Sequence, residues 1–144
     1  MNDPTIEYAG FWLRVWACVI DSLLLLALLV PLVVAVYGWA YFEPGAPSVR
    51  GPADLLITWV LPAVAVLLFW RYRRATPGKM AIRATIVDAG TGLPMVPRQA
   101  LVRYLGYYLS ALPLGLGLLW VAFDARKQGW HDKLAGTVVI RPRR

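Results

Sequence analysis

The segment from Phe11 to Tyr37 is apolar except for Arg14, Asp21 and Pro31, and no other feature limits the fold of this chain as much. It is longer than the ~20 residues that a helix needs to cross the hydrocarbon core of a bilayer. A cleaved signal peptide is the alternative, but its apolar part has about 7–15 residues and follows a basic segment. Here two acidic residues and no basic one precede the apolar run. We predict a transmembrane helix over 11–37.

The composition of the whole chain is that of a membrane protein. Of its 144 residues, 59% are hydrophobic and 16% are charged, against about 45–50% and about 25% in soluble domains. The mean hydropathy is +0.57, so a soluble enzyme is excluded as the expected class. A net charge of +7 would suggest nucleic-acid binding in a soluble protein, but here the basic residues flank apolar segments. Because this placement is typical of topology signals, we expect no nucleic-acid partner.

A second apolar segment, residues 53–70, predicts a second transmembrane helix. The connection before it, residues 41–52, is rich in proline and glycine and cannot continue a helix. The stretch 38–53 contains one basic residue, whereas 71–98 contains six. Because basic loops stay on the cytoplasmic side, we predict a multi-pass membrane protein with a cytoplasmic N-terminus.

Residues 71–97 have the pattern of a small cytoplasmic β-hairpin. β-Branched residues at 84–87 precede a glycine-containing turn, and a second short apolar run follows at 93–96. Residues 137–140 are also strand-like but have no local partner, and an isolated strand is not stable in water. We predict that this strand, which belongs to a basic tail over 125–144, pairs with the hairpin.

A third apolar region, 98–124, contains the sequence Pro113-Leu114-Gly115-Leu116-Gly117, which is expected to break a helix. Six basic residues follow this region, so a single crossing would place one basic cluster outside. We favour a re-entrant hairpin of two short helices, which leaves the C-terminus cytoplasmic; a continuous helix kinked at Pro113 is the alternative. The predicted fold is a single all-α polytopic membrane domain over 1–144. It has two full transmembrane helices, a broken third apolar region and a small β-hairpin joined by a C-terminal strand.

Asp21 and Arg14 form the candidate site on the first helix. They are seven residues apart and lie on nearly the same face, with about 10 Å between them along the axis. The side chain of Asp21 is too short to reach the head groups, so its carboxylate needs a cation, water or a proton. Arg14 and Arg103 are the candidate cations. Two interpretations stay open: a proton or ion site, and a charge pair that fixes helix packing.

Four further residues are candidates for polar chemistry. Arg103 belongs to a polar stripe on the third apolar region, or its side chain extends to the head groups at the start of that helix. Pro62, four residues after Thr58, frees the backbone carbonyl of Thr58, which is then available to a cation. His131 is either a proton switch near neutral pH or, as we expect, a solvated surface residue. Asp124 marks the exit from the membrane, and residues 123–134 are expected to lie at the membrane surface.

Several motifs occur in one order along the chain. They are Ala9-Gly10-Phe11-Trp12-Leu13-Arg14 with Ile20-Asp21, Thr76-Pro77-Gly78-Lys79-Met80, Pro113-Leu114-Gly115-Leu116-Gly117 with Phe123-Asp124, and His131-Asp132-Lys133-Leu134-Ala135-Gly136-Thr137. In these motifs the chain resembles the RDD family of bacterial membrane proteins, which is named after an arginine and two aspartates. The resemblance implies that Arg14 and Asp21 are the first two of these residues. The third is then Asp124, which we prefer, or Asp132.

The resemblance implies a protein of the bacterial inner membrane, from a family whose function is mostly unknown, with transport proposed and cation/proton antiport attributed to some members. We expect a small solute or cation to move, coupled to protons through Asp21, in a homo-oligomer, because four short membrane segments enclose little space. The alternative is a non-transporting adaptor or scaffold whose basic cytoplasmic face binds anionic lipid head groups or a partner protein. With one histidine and one cysteine, we expect neither an enzyme nor a metal or cofactor site.

Overall fold

The computed structural model describes residues 5–45 and 47–143. Within them, the helices in chain order are α1 (Phe11–Tyr37), α2 (Pro52–Leu55), α3 (Leu61–Arg73), α4 (Pro77–Ala81), α5 (Pro97–Ala111), α6 (Leu116–Leu119) and α7 (Trp130–Ala135). A π-helical turn, Leu56–Val60, joins α2 to α3, and short 3-10 helices occur at Trp39–Phe42 and Trp120–Ala122. The strands are β1 (Ile6–Tyr8), β2 (Thr85–Asp88) and β3 (Thr137–Pro142). We call the end that carries the strands the sheet end, and residues 38–51 the loop end.

Two helices of the described chain are long and apolar enough to cross a membrane, namely α1 and the helical stretch Pro52–Ala81. Many of their large apolar side chains are exposed, as Leu23 (61%) and Leu68 (50%) are, which is expected of side chains that contact lipid. The prediction of two membrane-spanning helices is therefore confirmed. At 27 residues, α1 is about 40 Å long, which exceeds the hydrocarbon core by about 10 Å. Helix α1 is therefore long enough to cross the hydrocarbon core even when it is tilted.

The third apolar region is broken, as predicted. Helix α5 ends at Ala111, and the chain bends by 111° before the helical stretch Leu116–Ala122. Leu114 and Gly115 adopt left-handed backbone conformations with φ of 54° and 74°, and Pro113 has no N–H with which to continue the helix. The alternative of one helix that runs on through Pro113 is therefore wrong, and the re-entrant arrangement stays a prediction.

The strands of the described chain form one antiparallel sheet in the order β1-β3-β2. The predicted pairing of the C-terminal strand with residues 84–87 is present, since β3 pairs with the whole of β2. The predicted second strand at 93–96 is wrong. Within the described residues, that segment contributes one isolated bridge, between Val87 and Pro94, because proline cannot donate a ladder hydrogen bond and α5 begins at Pro97. Strand β1 at the other edge was not predicted.

The buried apolar core lies at the sheet end, between the sheet, the end of α3 and α5. It comprises Ala9, Trp70, Ala84, Ile86, Met95, Ala100 and Val139. Ile86 and Val139 are opposite each other in the sheet and fully buried. Trp70, near the end of α3, stacks on Tyr107 of α5 with 6.0 Å between the ring centroids. These contacts fix α3 and α5 relative to the sheet.

Candidate functional site

Asp132 lies at the centre of a buried group of charged side chains. It is the third residue of α7, and its Oδ2 accepts a hydrogen bond from the Gly129 N–H (3.0 Å) at the start of that helix. The same oxygen accepts a hydrogen bond from Arg14 Nη1 (2.5 Å), and Oδ1 accepts one from Arg103 Nη1. The side chain of Asp132 is fully buried. We call Arg14, Arg103 and Asp132 the charge cluster.

The charge cluster contains two guanidiniums and one carboxylate. Burial alone would raise the pKa of Asp132, but the positive charges of Arg103 and Arg14 outweigh it and hold this pKa below its ordinary value. The carboxylate is therefore ionised at neutral pH. A carboxyl group with a lowered pKa stabilises the fold above its ordinary pKa of about 3.9 and loses that contribution as the pH falls further. The cluster is thus intact throughout the physiological range.

Arg14 joins the beginning of α1 to the C-terminal part of the chain. It lies in the first turn of α1, where its Nε donates a hydrogen bond to the Ala9 carbonyl (3.0 Å) and its Nη2 donates one to the Lys127 carbonyl (2.5 Å). With the bond to Asp132, which is 118 residues away in sequence, these contacts hold the junction of β1 and α1 against the loop before α7.

Arg103 is fully buried in the middle of α5. Its Nη1 also donates to Thr137 Oγ1 (2.6 Å), and its Nη2 donates to the Tyr107 hydroxyl (3.4 Å). The guanidinium lies over the rings of Trp70 and Tyr107, at 5.4 and 5.7 Å from their centroids, which favours cation–π attraction. The alternative interpretation, in which Arg103 extends to the head groups, is therefore wrong.

His131 is buried, contrary to the expectation that solvent surrounds it. Its ring stacks on Tyr107 with 3.9 Å between the centroids, and its backbone N–H donates to Ser110 Oγ (3.1 Å). The close packing depends on a glycine in α5, since a Cβ at Gly106 would lie 2.9 Å from His131 Cα. Residues 123–134 therefore do not simply lie along a membrane surface, because α7 packs against α5.

Burial lowers the pKa of His131 to about 3, although the charge of Asp132 opposes this shift. In the unfolded chain the ring has its ordinary pKa of about 6.5, so below that pH the unfolded state binds a proton that the folded state does not. The free energy of unfolding should then decrease by about 1.4 kcal/mol per pH unit between about pH 6 and pH 4. Chemical unfolding of the wild type and of His131→Gln across this range tests the prediction. The variant should lack this slope, and a slope that persists in it would disprove the assignment to His131.

Ser110, His131 and Asp132 are arranged in the order of the Ser-His-Asp triad of hydrolases. Unlike that triad, they are not accessible to a substrate. Ser110 Oγ lies 3.4 Å from His131 Nδ1, and His131 Nε2 lies 3.5 Å from Asp132 Oδ2. The side chain of Ser110 is fully buried, its hydroxyl accepts the His131 N–H, and both oxygens of Asp132 bind guanidiniums. A substrate therefore has no access to this hydroxyl. Among residues 5–45 and 47–143, no three His, Cys, Asp or Glu side chains form a potential metal site.

Asp21 binds the beginning of α4. Its Oδ2 accepts a hydrogen bond from Thr76 Oγ1 (2.5 Å), and its Oδ1 accepts one from the Gly78 N–H (2.7 Å). The helices α1 and α4 approach so closely that a Cβ at Gly78 would lie 1.9 Å from the carbonyl oxygen of Ala17. Asp21 thus docks α4 on α1. Thr76 and Gly78 belong to one of the motifs that carry the family resemblance, but they were not predicted as partners of Asp21.

The predicted charge partners of Asp21 lie elsewhere. Arg14 and Arg103 both form their salt bridges with Asp132. The reason for Arg14 is geometric, because about 10 Å of helix separates it from Asp21 and its side chain turns towards α7. The predicted Arg14–Asp21 pair is therefore corrected to an Arg14–Asp132 pair.

Lys79 is a further cation near the charge cluster. It was not predicted as a site residue. Its side chain is buried, and its charge acts on His131. In the part of the chain that the structure describes, no hydrogen bond or salt bridge involves its ammonium group. Lys79 therefore adds to the positive charge between α4, α5 and α7.

Asp124 lies outside the charge cluster and organises the loop before α7. Its Oδ2 accepts hydrogen bonds from the backbone N–H groups of Arg126 and Gln128 (3.0 Å each), and its Oδ1 lies 2.5 Å from Lys133 Nζ. Of the two candidates for the second aspartate of the family motif, the structure places Asp132, and not Asp124, in contact with Arg14.

Thr58 belongs to a separate polar group at the loop end. Its Oγ1 donates to the Asp54 carbonyl (2.7 Å). Asp54 is buried, and its carboxylate accepts hydrogen bonds from the Tyr41 hydroxyl (2.7 Å) and the Arg50 N–H (2.9 Å). Asp54 was not predicted as a site residue, although an acidic residue in the first turn of a helix is a recognised helix-start signal. These contacts hold the loop end against α2.

Comparison with protein families identifies one family over most of the chain. Residues 8–136 match the family model described as the RDD family. No solved structure matches the chain.

Curated relatives extend over different shares of the chain. The "Uncharacterized protein RP437" of Rickettsia prowazekii (strain Madrid E) is 37% identical over 75 residues, which cover 52% of this chain and 41% of that protein. The "Uncharacterized membrane protein YteJ" of Bacillus subtilis (strain 168) is 28% identical over 137 residues, or 94% of this chain and 82% of that protein. A "Proline-rich antigen homolog" of Mycobacterium tuberculosis (strain CDC 1551 / Oshkosh) is 28% identical over 114 residues, or 74% and 46%. The chain thus spans less than half the length of the Rickettsia and Mycobacterium relatives.

Proposed function

Because this chain belongs to the RDD family and is similar to a protein named as a membrane protein, we propose that it binds anionic phospholipid head groups through the basic surface of its sheet end. Two roles were expected from the sequence, transport and an adaptor or scaffold role without transport. This proposal is the adaptor or scaffold role. The observation that carries the proposal is the distribution of exposed arginine side chains.

Exposed guanidiniums are concentrated at the sheet end. Of the arginines in residues 5–45 and 47–143, seven are exposed there and form no salt bridge with a described carboxylate: Arg71, Arg73, Arg74, Arg83, Arg98, Arg126 and Arg143. At the loop end, Arg50 donates to the carbonyls of Ala40 and Tyr41. Because basic residues mark the cytoplasmic side, the proposal places the sheet end and both termini in the cytoplasm, with the helices in the inner membrane.

Anionic head groups fit this surface because each exposed arginine contributes about 1 kcal/mol near an anionic leaflet. This attraction extends over a Debye length, about 8 Å at physiological ionic strength. The charge cluster supports the proposal indirectly. Its guanidinium–carboxylate contacts hold α5, which carries the exposed Arg98, and α7 against the start of α1 at the sheet end.

The triple substitution R71Q/R73Q/R74Q should remove most of the preference of this protein for phosphatidylglycerol over phosphatidylcholine. Each lost charge corresponds to about a fivefold loss in local lipid association at most. The preference is measured with spin-labelled lipids at the protein surface in mixed vesicles of the two phospholipids. The matched variant R71K/R73K/R74K retains the three charges and should retain the preference. A wild type that shows no preference for phosphatidylglycerol would overturn the proposed function.

Proton-coupled transport through Asp21 is the other role expected from the sequence. The hydrogen bonds of both Asp21 oxygens with Thr76 and Gly78 support a docking role for this carboxylate instead. Cation or proton flux into proteoliposomes, compared between the wild type and Asp21→Asn, separates the two roles. Flux above that of empty vesicles in the wild type, lost in the variant, would replace lipid binding by transport. The homo-oligomer stays a prediction, which the mass of the protein–detergent complex tests.

A further inference from the structure

We propose that one phosphate group, carried by an anionic phospholipid, binds in a cavity lined by Arg83, Arg141 and Arg143 at the sheet end. The proposal rests on the proposed function, because it assigns a defined site within the lipid-binding surface. It predicts one tightly bound lipid, in contrast to the diffuse attraction of the whole basic surface.

The cavity has a volume of about 360 Å³ and lies between the first turn of α1, the end of α4 and the last residues of β3. Its lining includes three arginines and the apolar side chains of Leu13 and Ile82. This volume is within the range of pockets that bind small molecules, about 300–1,000 Å³. The cavity therefore has room for a phosphate together with the glycerol part of a head group.

The charges around the cavity favour an anion. Nε of Arg141 donates to Oε1 of Glu7 (2.6 Å), and this is the one salt bridge that the three arginines form with carboxylates of residues 5–45 and 47–143. Three guanidiniums and one carboxylate leave a net charge of +2. Arginine binds phosphate oxygens through two parallel N–H groups, which gives this contact both strength and direction. A phosphate group thus matches the cavity in charge and in the type of hydrogen-bond donor that lines it.

The backbone conformation at Arg83 positions its side chain at the cavity. Arg83 has a left-handed conformation with φ of 57°, which non-glycine residues rarely adopt. It is held by hydrogen bonds from the Arg83 N–H to the Met80 carbonyl (2.9 Å) and from the Ala84 N–H to the Lys79 carbonyl (2.8 Å). The chain therefore ends α4 sharply, and Arg83 follows directly before β2 at the rim of the cavity.

The apolar part of the cavity favours a lipid as the carrier of the phosphate. Leu13 belongs to the membrane-spanning helix α1, and its neighbours Trp12 and Trp16 are 73% and 63% exposed. Exposed tryptophans of this kind are enriched at the level of the head groups. A phospholipid bound here would place its phosphate against the arginines and the beginning of its acyl chains against Leu13 and Ile82.

The test compares two double substitutions that remove the same charge from the same end of the protein. R83Q/R143Q removes two arginines of the cavity, whereas R71Q/R73Q removes two exposed arginines outside it. Native mass spectrometry of the protein in detergent, titrated with phosphatidylglycerol, counts the lipids that each chain retains. We expect one retained lipid in the wild type, a loss of affinity in both variants, and an affinity in R83Q/R143Q at least tenfold below that of R71Q/R73Q.

The outcomes separate this proposal from the proposed function. An equal loss in both variants would overturn the cavity as a site and leave the diffuse attraction intact. A wild type that retains no phosphatidylglycerol would overturn the lipid site, whatever the spin-labelled lipids report. A lipid-free wild type whose melting temperature rises with inorganic phosphate, but not in R83Q/R143Q, would support a phosphate site. If phosphatidylglycerol then fails to compete with inorganic phosphate, the lipid is overturned as the carrier.

Discussion

Asp132→Asn should lower the free energy of unfolding by about 3–5 kcal/mol, because it leaves buried charges without their counter-charge. Arg103 is fully buried and Arg14 is 11% exposed, and both lose their bound carboxylate. Asparagine has nearly the same shape, and its side-chain oxygen still caps the Gly129 N–H. The loss therefore reports the charge of Asp132 and the acceptor oxygen that faces Arg103, which an amide N–H₂ cannot replace, and not the volume of the side chain or its role in starting α7.

The measurement is reversible unfolding in mixed micelles of a mild and a denaturing detergent. Asp124→Asn is the matched control, because it removes one carboxylate from the same segment. The partner of Asp124, Lys133, is 43% exposed, so this substitution should cost no more than about 1 kcal/mol. If the two substitutions lower the free energy of unfolding by similar amounts, Asp132 is not at the centre of the charge cluster.

Gly78→Ala should destabilise the protein by about 3 kcal/mol or more, although alanine is the better helix former by up to about 1 kcal/mol. The added Cβ would lie 1.9 Å from the oxygen and 2.8 Å from the carbon of the Ala17 carbonyl, and 2.9 Å from Asp21 Cγ. The backbone of α1 cannot yield by that much, so α4 must move away. Overpacking of this kind costs about 1–3 kcal/mol, and each lost hydrogen bond to the Asp21 carboxylate adds about 1.5–3 kcal/mol.

Gly10→Ala is the control for this prediction. Gly10 immediately precedes α1, has a φ of −66°, and has nothing within 4 Å of the position of an added Cβ. The substitution should be neutral or stabilise the protein by up to about 1 kcal/mol, because it restricts the unfolded chain. If Gly78→Ala behaves like Gly10→Ala in the same unfolding assay, α4 does not pack on α1 as described.

The parts of the fold set by local sequence were predictable. Long apolar runs led to the two spans, Pro113 and Gly115 led to the break in the third region, and β-branched residues led to β2 and β3. Strand β1 was missed because Ile6–Tyr8 is too short for an alternating pattern. The strand at 93–96 was predicted wrongly because an apolar run outweighed the effect of Pro94, which cannot support a strand ladder.

The residues of the site were predictable, but their contacts were not. Arg14 and Arg103 stand out because charged residues next to apolar segments need partners, whereas Asp132 was only the less preferred of the two aspartates that the family resemblance implies. No helical spacing relates Arg14 to Asp132 across 118 residues, so spacing suggested Asp21 as its partner. The burial of His131 depends on the absence of a side chain at Gly106 in another helix, and the mixed charges of residues 123–134 suggested a surface segment instead.

The contact between Arg14 and Asp132 is the central claim, and a double-mutant cycle tests it most directly. The free energies of unfolding of the wild type, Arg14→Gln, Asp132→Asn and the double variant give the coupling energy of the pair. We predict a coupling of at least about 1.5 kcal/mol, within the range of about 0.5–3 kcal/mol found for residues in contact. Single-variant effects that add within about 0.5 kcal/mol, as for distant residues, would contradict the charge cluster.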